Sequence, residues 1–173
     1  MPWTAPNVIR PIPPRPADER ASLDGFLNLH RATLLQKCAG LNGEQLAQRP
    51  IHSSRLSLLG LVRHLAECEQ IWFLWRFAGQ PLKPLYQLED NPEAAFDLVD
   101  PARAEEDFAS YSTEVEAVRL AVAERSLDET FVFGRDSRPC DLRYVYVHMI
   151  EEYARHNGHA DLIRELVDGT TGS

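Results

Sequence analysis

The fold is decided near the C-terminus by the stretch 142–167, which reads LRYVYVHMIEEYARHNGHADLIRELV. Apolar side chains recur in this stretch at steps of three and four residues, and no proline interrupts it. That spacing is typical of one long amphipathic helix whose apolar face is buried. The residues that form the apolar stripe are Leu142, Val145, Met149, Tyr153, Ala160, Ile163 and Val167.

Two ionisable residues, Glu152 and His156, fall within this stripe. On a helical projection Glu152 lies about 60° from the centre of the stripe and His156 about 20°. A buried carboxylate is costly unless it is paired or bound to a metal. The two residues are four apart and therefore neighbours, as two ligands of one cation would be, and His148 and His159 lie on the same flank. Solvated pairs share this spacing, so a metal site needs a third ligand from elsewhere.

Composition places the chain among ordinary globular proteins. Its 173 residues are enough for one domain with a sizeable core, and 44% of them are hydrophobic and 25% charged. The formal net charge of −8 argues against nonspecific nucleic-acid binding, which needs a basic surface. It also gives no reason to expect attraction to an anionic membrane.

Cysteine usage and the N-terminus both favour a cytoplasmic location. Cys38, Cys68 and Cys140 are odd in number, lie far apart and form no CxxC motif, which suits a reducing compartment. Residues 1–17 contain six prolines and no apolar signal core, and no apolar run approaches transmembrane length. We therefore expect a proline-rich extended segment that is pinned to the surface by apolar contacts of Trp3, Val8 and Ile9.

Three further helices are predicted upstream of the closing one. They are Asp18 to Cys38, Ser57 to Ala78 and Pro101 to Arg125, with a short helical turn at 42–48. Long connections at 80–100 and 126–140 separate the last three helices, and residues 130–133 are expected to pair briefly as a strand. The predicted domains are a proline-rich extension at 1–17, a helical bundle at 18–168 and a tail at 169–173.

The second predicted helix is apolar around most of its circumference, and His64 is its main interruption. A buried imidazole needs a partner, which a metal held by another helix would provide. Glu67 and Cys68 are rival or auxiliary ligands, although Cys68 also reads as a small buried hydrophobic residue. The otherwise apolar strip around His64 consists of Leu61, Cys68, Ile71 and Trp75.

The first helix carries His30 in the middle of its apolar face, where a histidine is either a hydrogen-bonded core residue or a ligand. That face consists of Leu23, Phe26, Leu27, His30, Leu34 and Cys38. Four amphipathic helices with two long connections predict an all-α four-helix bundle. Such bundles build metal sites from inward side chains on facing helices, and His64, Glu152 and His156 satisfy that arrangement.

Two motifs carry a resemblance to a known family. LVRHLAECE at 61–69 and HMIEEYARHNGHADLIREL at 148–166 resemble the DinB-like (YfiT-like) four-helix-bundle metalloproteins. The sequence looks most like the branch related to mycothiol-dependent maleylpyruvate isomerase and the mycothiol S-transferases. The resemblance covers almost the whole chain after the proline-rich start.

This resemblance implies a divalent metal, zinc or nickel, bound by His64, Glu152 and His156. Many relatives have His where this chain has Glu152, and Glu is what the isomerase-like members show. His159 falls where many relatives carry Gln and is expected to back the ligands or face the substrate. The family assigns no role to His148 or His30, which we place in the same group as His159.

Three functions remain open at this point. Three protein ligands leave one metal position free, where a thiol of the mycothiol type would bind as a thiolate and attack an electrophilic small molecule. A metal-bound water would instead make a hydrolase. A structural metal would make a stress-related helical bundle without turnover, and exposed Trp72 or Phe77 would then suit a homodimer face.

Overall fold

The structure is a computed structural model that describes residues 3–133 and 138–172. Most of this part of the chain is helical, as predicted, and the strands form one small antiparallel pair. The helices are α1 (Glu19–Cys38), α2 (Gly43–Ala47), α3 (Leu58–Glu69), α4 (Ala94–Asp97), α5 (Ala104–Val122) and α6 (Leu142–Asp168), and the strands are β1 (Thr130–Val132) and β2 (Pro139–Asp141).

Three of the four long helices, α1, α3 and α6, begin where a polar side chain caps them. Asp18 accepts a hydrogen bond from the backbone of Ala21 at the start of α1, and Asp141 does the same for Tyr144 at the start of α6. α6 then runs without a break to Gly169, whose φ of 76° closes it in the left-handed region. Helix α6 packs chiefly against α1, and α3 packs chiefly against α5, while α3 also contacts α6.

The second predicted helix is not α-helical throughout. After Glu69 it continues as a π-helical segment, Gln70–Phe77, whose wider turn rotates the following side chains away from an α-helical projection. Trp75 is consequently 43% exposed, although the α-helical projection places it beside His64. Phe77 is only 5% exposed, which rules it out of the predicted dimer face.

One other prediction about burial is also wrong. Phe26 is 49% exposed because it lies about 100° around α1 from Leu27, which faces the core. On α5 the carboxylate of Asp107 is buried near the start of the helix and pairs with Arg63 of α3 at 3.2 Å.

The two long connections contain more structure than predicted. The first includes α4, which packs against α3 and brings Phe96 to the candidate site. A 3₁₀ turn, Pro101–Arg103, precedes α5, which ends at Val122 rather than at Arg125. In the second connection the predicted strand is confirmed as β1, and positions 134–137 of the predicted 126–140 connection lie outside the described residues.

The proline-rich start is extended and follows the helical domain. Thr4 forms a β-bridge with Asn42, and the backbone of Ala5 donates to Leu41 at 2.9 Å. Trp3 packs edge-on against Phe108 of α5, so the predicted pinning is confirmed at this residue. The prediction is wrong for Ile9, which is 94% exposed. Cys38, Cys68 and Cys140 are free. Within the described ranges, no helix is both long and apolar enough to cross a membrane.

Candidate metal centre

Helices α3 and α6 bring His64, Glu152 and His156 together. Glu152 Oε1 lies 3.2 Å from His64 Nε2 and 3.3 Å from His156 Nε2. One possible ligand atom from each residue falls within 4.8 Å of the other two. The two imidazole rings lie 4.8 Å apart at 70° to each other, so both present an edge nitrogen to the same carboxylate oxygen.

The spacing of these atoms fits a small divalent cation. Zinc binds histidine nitrogen and carboxylate oxygen at about 2.0–2.2 Å in tetrahedral geometry, which separates neighbouring ligand atoms by about 3.3–3.6 Å. The two separations from Glu152 Oε1, 3.2 and 3.3 Å, are close to that range. Two imidazoles and one carboxylate are also a donor set that suits zinc and nickel. The residues present therefore fit the ion that the resemblance implies.

The carboxylate of Glu152 is largely withdrawn from solvent, with its side chain 12% exposed. Hydrogen bonds from His156 and His64 hold its pKa well below the ordinary glutamate value. Its second oxygen lies 3.3 Å from Nη1 of Arg155, an exposed side chain that also pairs with Glu151. Glu152 is therefore ionised. The groups next to its Oε1 are two imidazoles, and not a permanently charged group such as a guanidinium.

His159 contacts His156 on the side of the ring away from Glu152. The two Nδ1 atoms are 3.2 Å apart, so one nitrogen must carry the hydrogen and the other must accept it. Burial and the neighbouring His156 lower the pKa of His159, which favours a neutral ring with a free nitrogen lone pair. If His159 accepts, His156 keeps a proton on Nδ1, and the Nε2 proton that it donates to Glu152 is the one that a cation bound at this site would replace.

Cys68 and Phe96 border His64. The Sγ of Cys68 lies 3.5 Å from His64 Nε2, and burial raises the pKa of this thiol far above its ordinary value. In the described structure Cys68 is therefore a neutral side chain, and it does not belong to the cluster of three converging ligand atoms. Phe96, from α4, packs on the His64 ring with 4.9 Å between centroids and shields it from water.

The other candidate residues lie outside the triad formed by His64, Glu152 and His156. His148 packs on Trp72 with ring centroids 4.1 Å apart, and burial lowers its pKa. His30 accepts a hydrogen bond from Asn157 through its backbone oxygen at 3.0 Å. Glu67 is not available as a ligand in this arrangement. Its Oε1 accepts hydrogen bonds from two backbone amides of the 80–100 connection, at 2.7 and 2.9 Å.

Sequence reasoning missed a second carboxylate network on the same two helices. Arg31 of α1 donates to both oxygens of Glu69 at 2.7 and 2.6 Å, and the Tyr153 hydroxyl donates to Glu69 at 2.8 Å. The signal was present, because Glu69 interrupts an apolar helix much as His64 does. Phe96 had no comparable signal, since it lies in a segment without clear periodicity.

Comparison with known protein families finds a match over most of the chain. A family model described as mycothiol S-transferase, within the DinB-like clan, matches residues 22–169. The matched range runs from α1 to the end of α6 and includes all three converging residues. A search of curated proteins finds no match to the chain.

Proposed function

Since the chain belongs to the mycothiol S-transferase family, we propose that it is a metal-dependent thiol S-transferase. His64, Glu152 and His156 hold a divalent ion, zinc or nickel. A low-molecular-weight thiol of the mycothiol type is the nucleophile, and an electrophilic small molecule accepts it. The observation that carries this proposal is the convergence of three ligand atoms from α3 and α6 on one half-buried point.

A divalent ion held by these three residues would lower the pKa of a thiol bound to it, so that the thiol is deprotonated near neutral pH. Glu152 would contribute one negative charge and the imidazoles none, so the site with its ion would carry a single positive charge that favours an anionic thiolate. Three imidazoles would leave a higher charge and bind other anions more strongly.

The neighbouring residues orient the ligands. His159, whose Nδ1 lies 3.2 Å from Nδ1 of His156, would accept a hydrogen bond from that N–H and so orient Nε2 of His156 towards the ion. Arg155 occupies the second oxygen of Glu152, which leaves Oε1 for the ion. Phe96 covers the face of the His64 ring and limits the access of water.

The transfer itself forms one bond and breaks another. The S–H proton passes to solvent, and the sulfur lone pair forms a C–S bond with the electrophilic carbon. The leaving group departs with the electron pair of its former bond to carbon. An activated alkene instead takes up a proton at the carbon next to the one attacked.

Turnover of a generic alkyl halide tests the function. We expect conjugation that requires a low-molecular-weight thiol, that is fastest with mycothiol, and that stops on chelation and returns with zinc or nickel. Loss of substrate at an equal rate without any thiol would contradict the transferase and indicate the hydrolase alternative. Absence of turnover, together with a large fall in the melting temperature on chelation, would indicate a structural metal.

We propose in addition that residues 18–168 form the four-helix bundle of the DinB-like proteins, with the extension at 1–17 and the tail at 169–173 outside it. The preference of α1 for α6 and of α3 for α5 supports this arrangement. A cytoplasmic location and a homodimer stay predictions, and size-exclusion chromatography with light scattering tests the latter.

A further inference from the structure

A cleft between α1 and α5 lies outside the pair of helices that carries the triad. Helix α1 packs chiefly on α6 and α5 chiefly on α3, whereas the triad belongs to α3 and α6. Long polar side chains join α1 to α5 across the cleft. Arg119 of α5 donates to Oδ1 of Asn28 at 3.0 Å. Arg20 of α1 donates to the backbone oxygens of Val122 and Arg125 at 2.6 and 2.9 Å.

The cleft contains two adjoining cavities of about 280 and 380 Å³. They share three lining residues, Asn28, Arg31 and Arg119, and together they reach the size of sites that bind small molecules. We call the first the polar cavity and the second the aliphatic cavity. The apolar wall of the aliphatic cavity includes Val8, Pro11, Ala32, Leu35 and Val115.

The proline-rich start forms the outer wall of the aliphatic cavity through Val8 and Pro11. Further along, this segment runs close against α1. A Cβ atom on Gly25 would lie 2.7 Å from Cδ of Pro14, so the close approach depends on glycine at this position. The hydroxyls of Tyr111 and Ser112, which also line this cavity, are hydrogen-bonded within the protein. The aliphatic cavity is therefore suited to an apolar group.

The polar cavity is lined by three arginines and by one carboxylate, that of Asp24. Arg31 is not available to a ligand, because Glu69 neutralises its charge and accepts two of its hydrogen bonds. The two remaining cations are Arg20 and Arg119. Asp24 lies 3.6 Å from Arg20 and offsets part of their charge, so the lining keeps about one positive charge in excess.

Arg20 and Arg119 both have donors that the described protein does not use fully. Nη1 of Arg20 is buried and has no hydrogen-bond partner among the described residues. A buried donor of this kind is ordinarily satisfied by a water molecule or a bound group. Arg119 pairs with Glu116 at 3.5 Å, but both side chains are more than half exposed, and such a pair contributes little. An anion in the polar cavity would thus meet two guanidinium groups.

We propose that the α1–α5 cleft binds an aliphatic carboxylate, a molecule with a saturated hydrocarbon chain and one anionic group. The carboxylate lies in the polar cavity, where Arg20 and Arg119 donate charge-assisted hydrogen bonds to it. The chain lies in the aliphatic cavity, where its burial removes apolar surface from water. This site goes beyond the proposed transferase function and requires neither the metal nor the thiol.

Equilibrium binding of three probes tests the site. Isothermal titration calorimetry with octanoate, 1-octanol and acetate is performed with a chelator present and no thiol. Octanoate has both the charge and the chain, while each of the other two has one of them. We expect wild type to bind one octanoate per chain, at least about tenfold more tightly than either of the other probes.

Two variants separate the contributions of the two cavities. Arg119→Gln should weaken octanoate binding about 10- to 100-fold, the range for charge-assisted hydrogen bonds, and change octanol binding less than about twofold. Ala32→Leu fills the aliphatic cavity at a helical position that tolerates leucine, and should weaken octanoate and octanol alike. Arg103→Gln, at an exposed arginine on the 3₁₀ turn, is the control and should behave as wild type.

A further variant excludes binding of the carboxylate at the triad. His156→Ala should bind octanoate within about threefold of wild type, because the triad lies outside the cleft. Loss of octanoate binding in this variant would overturn the proposal. It would also be overturned if wild type did not bind octanoate, if octanol bound equally well, or if neither Arg119→Gln nor Ala32→Leu weakened octanoate binding. None of these measurements depends on turnover, so their failure would leave the proposed transferase function untouched.

Discussion

Helices α3 and α6 each contribute to two carboxylate clusters of opposite character. Glu69 is 0% exposed, and its oxygens accept three hydrogen bonds, two from Arg31 and one from Tyr153. Glu152 is also largely buried, yet among the described residues the hydrogen-bond partners of its inner oxygen, Oε1, are the two imidazoles. The carboxylates belong to the same helix pair, but the first has its full complement of partners inside the protein and the second does not.

The partners explain what each cluster can do. Burial alone would lower the pKa of Arg31, but Glu69 more than offsets this, so the net pKa is raised and the guanidinium is permanently charged. Tyr153 donates to Glu69, and therefore the 2.9 Å contact between the two tyrosine hydroxyls must be donated by Tyr111. Every polar group in this network is satisfied, which leaves no vacancy for a ligand. Imidazoles, in contrast, supply lone pairs rather than fixed positive charge, so an external cation can replace their protons.

The largest effect should come from breaking the complete network. Glu69→Gln leaves Arg31 buried with no carboxylate, and such a loss costs about 3–5 kcal/mol of unfolding free energy. Denaturant unfolding of the metal-free protein measures this loss of free energy. Glu105→Gln, at an exposed position on α5, is the control. A loss smaller than about 1 kcal/mol would show that the Glu69 network contributes little to the stability of the fold.

A smaller effect should appear when the side chain of His159, which contacts His156 in the Glu152 cluster, is removed. His159→Ala takes away the acceptor of His156 Nδ1 and should weaken metal affinity about 10- to 100-fold, with little change in the stability of the metal-free protein. His159→Gln restores an acceptor oxygen and should recover most of the affinity. Competition with a chromophoric chelator measures both, and equal affinity in wild type and His159→Ala would remove His159 from the orienting role.

Tyr153→Phe tests whether the two carboxylate clusters are independent, with a smaller loss of unfolding free energy than Glu69→Gln. The variant removes one of three hydrogen bonds to Glu69 and leaves the Tyr111 hydroxyl without its acceptor, which should cost about 1–2 kcal/mol. Metal affinity should stay as in wild type, although residue 153 adjoins Glu152. Thermal unfolding and chelator competition on the same sample test this, and a parallel fall in both would mean that the two clusters are coupled.

The smallest effect should be a change in how the stability of the metal-free protein depends on pH when His148 is replaced. Burial lowers the pKa of His148 in the folded protein, so its neutral form stabilises the fold above the unfolded value of about 6.5. This stability is lost as the pH falls below that value and through the folded pKa. Metal-free wild type should therefore lose more stability between pH 7.5 and 5.5 than His148→Gln does. Identical slopes in denaturant midpoint against pH would contradict the expectation.

Local signals were enough to predict much of the fold. The boundaries of α1 and α6 follow from Asp18, Asp141 and the apolar periodicity between the caps and the chain breaks. The π-helical segment and α4 were not predicted, because both depend on packing against other helices and neither has a distinctive residue pattern. The exposure of Trp75 was wrong for the same reason, since one wider turn is enough to move a side chain to another face.

The triad was predictable because each of its residues interrupts an apolar stripe at helical spacing. Arg31 and Glu69 were missed because they lie 38 residues apart and no local rule indicates that they meet. Sequence thus identifies polar residues that need a partner, while only the tertiary structure shows which of them have one.

Metal analysis of two purified variants tests the contrast between the clusters most directly. Plasma mass spectrometry should find about one divalent ion per chain in wild type and in Tyr153→Phe, and none in His156→Ala, while circular dichroism shows all three folded. Metal retained at the wild-type level in folded His156→Ala would contradict the account, because the ion would then be bound elsewhere and Glu152 would be only a second internally paired carboxylate.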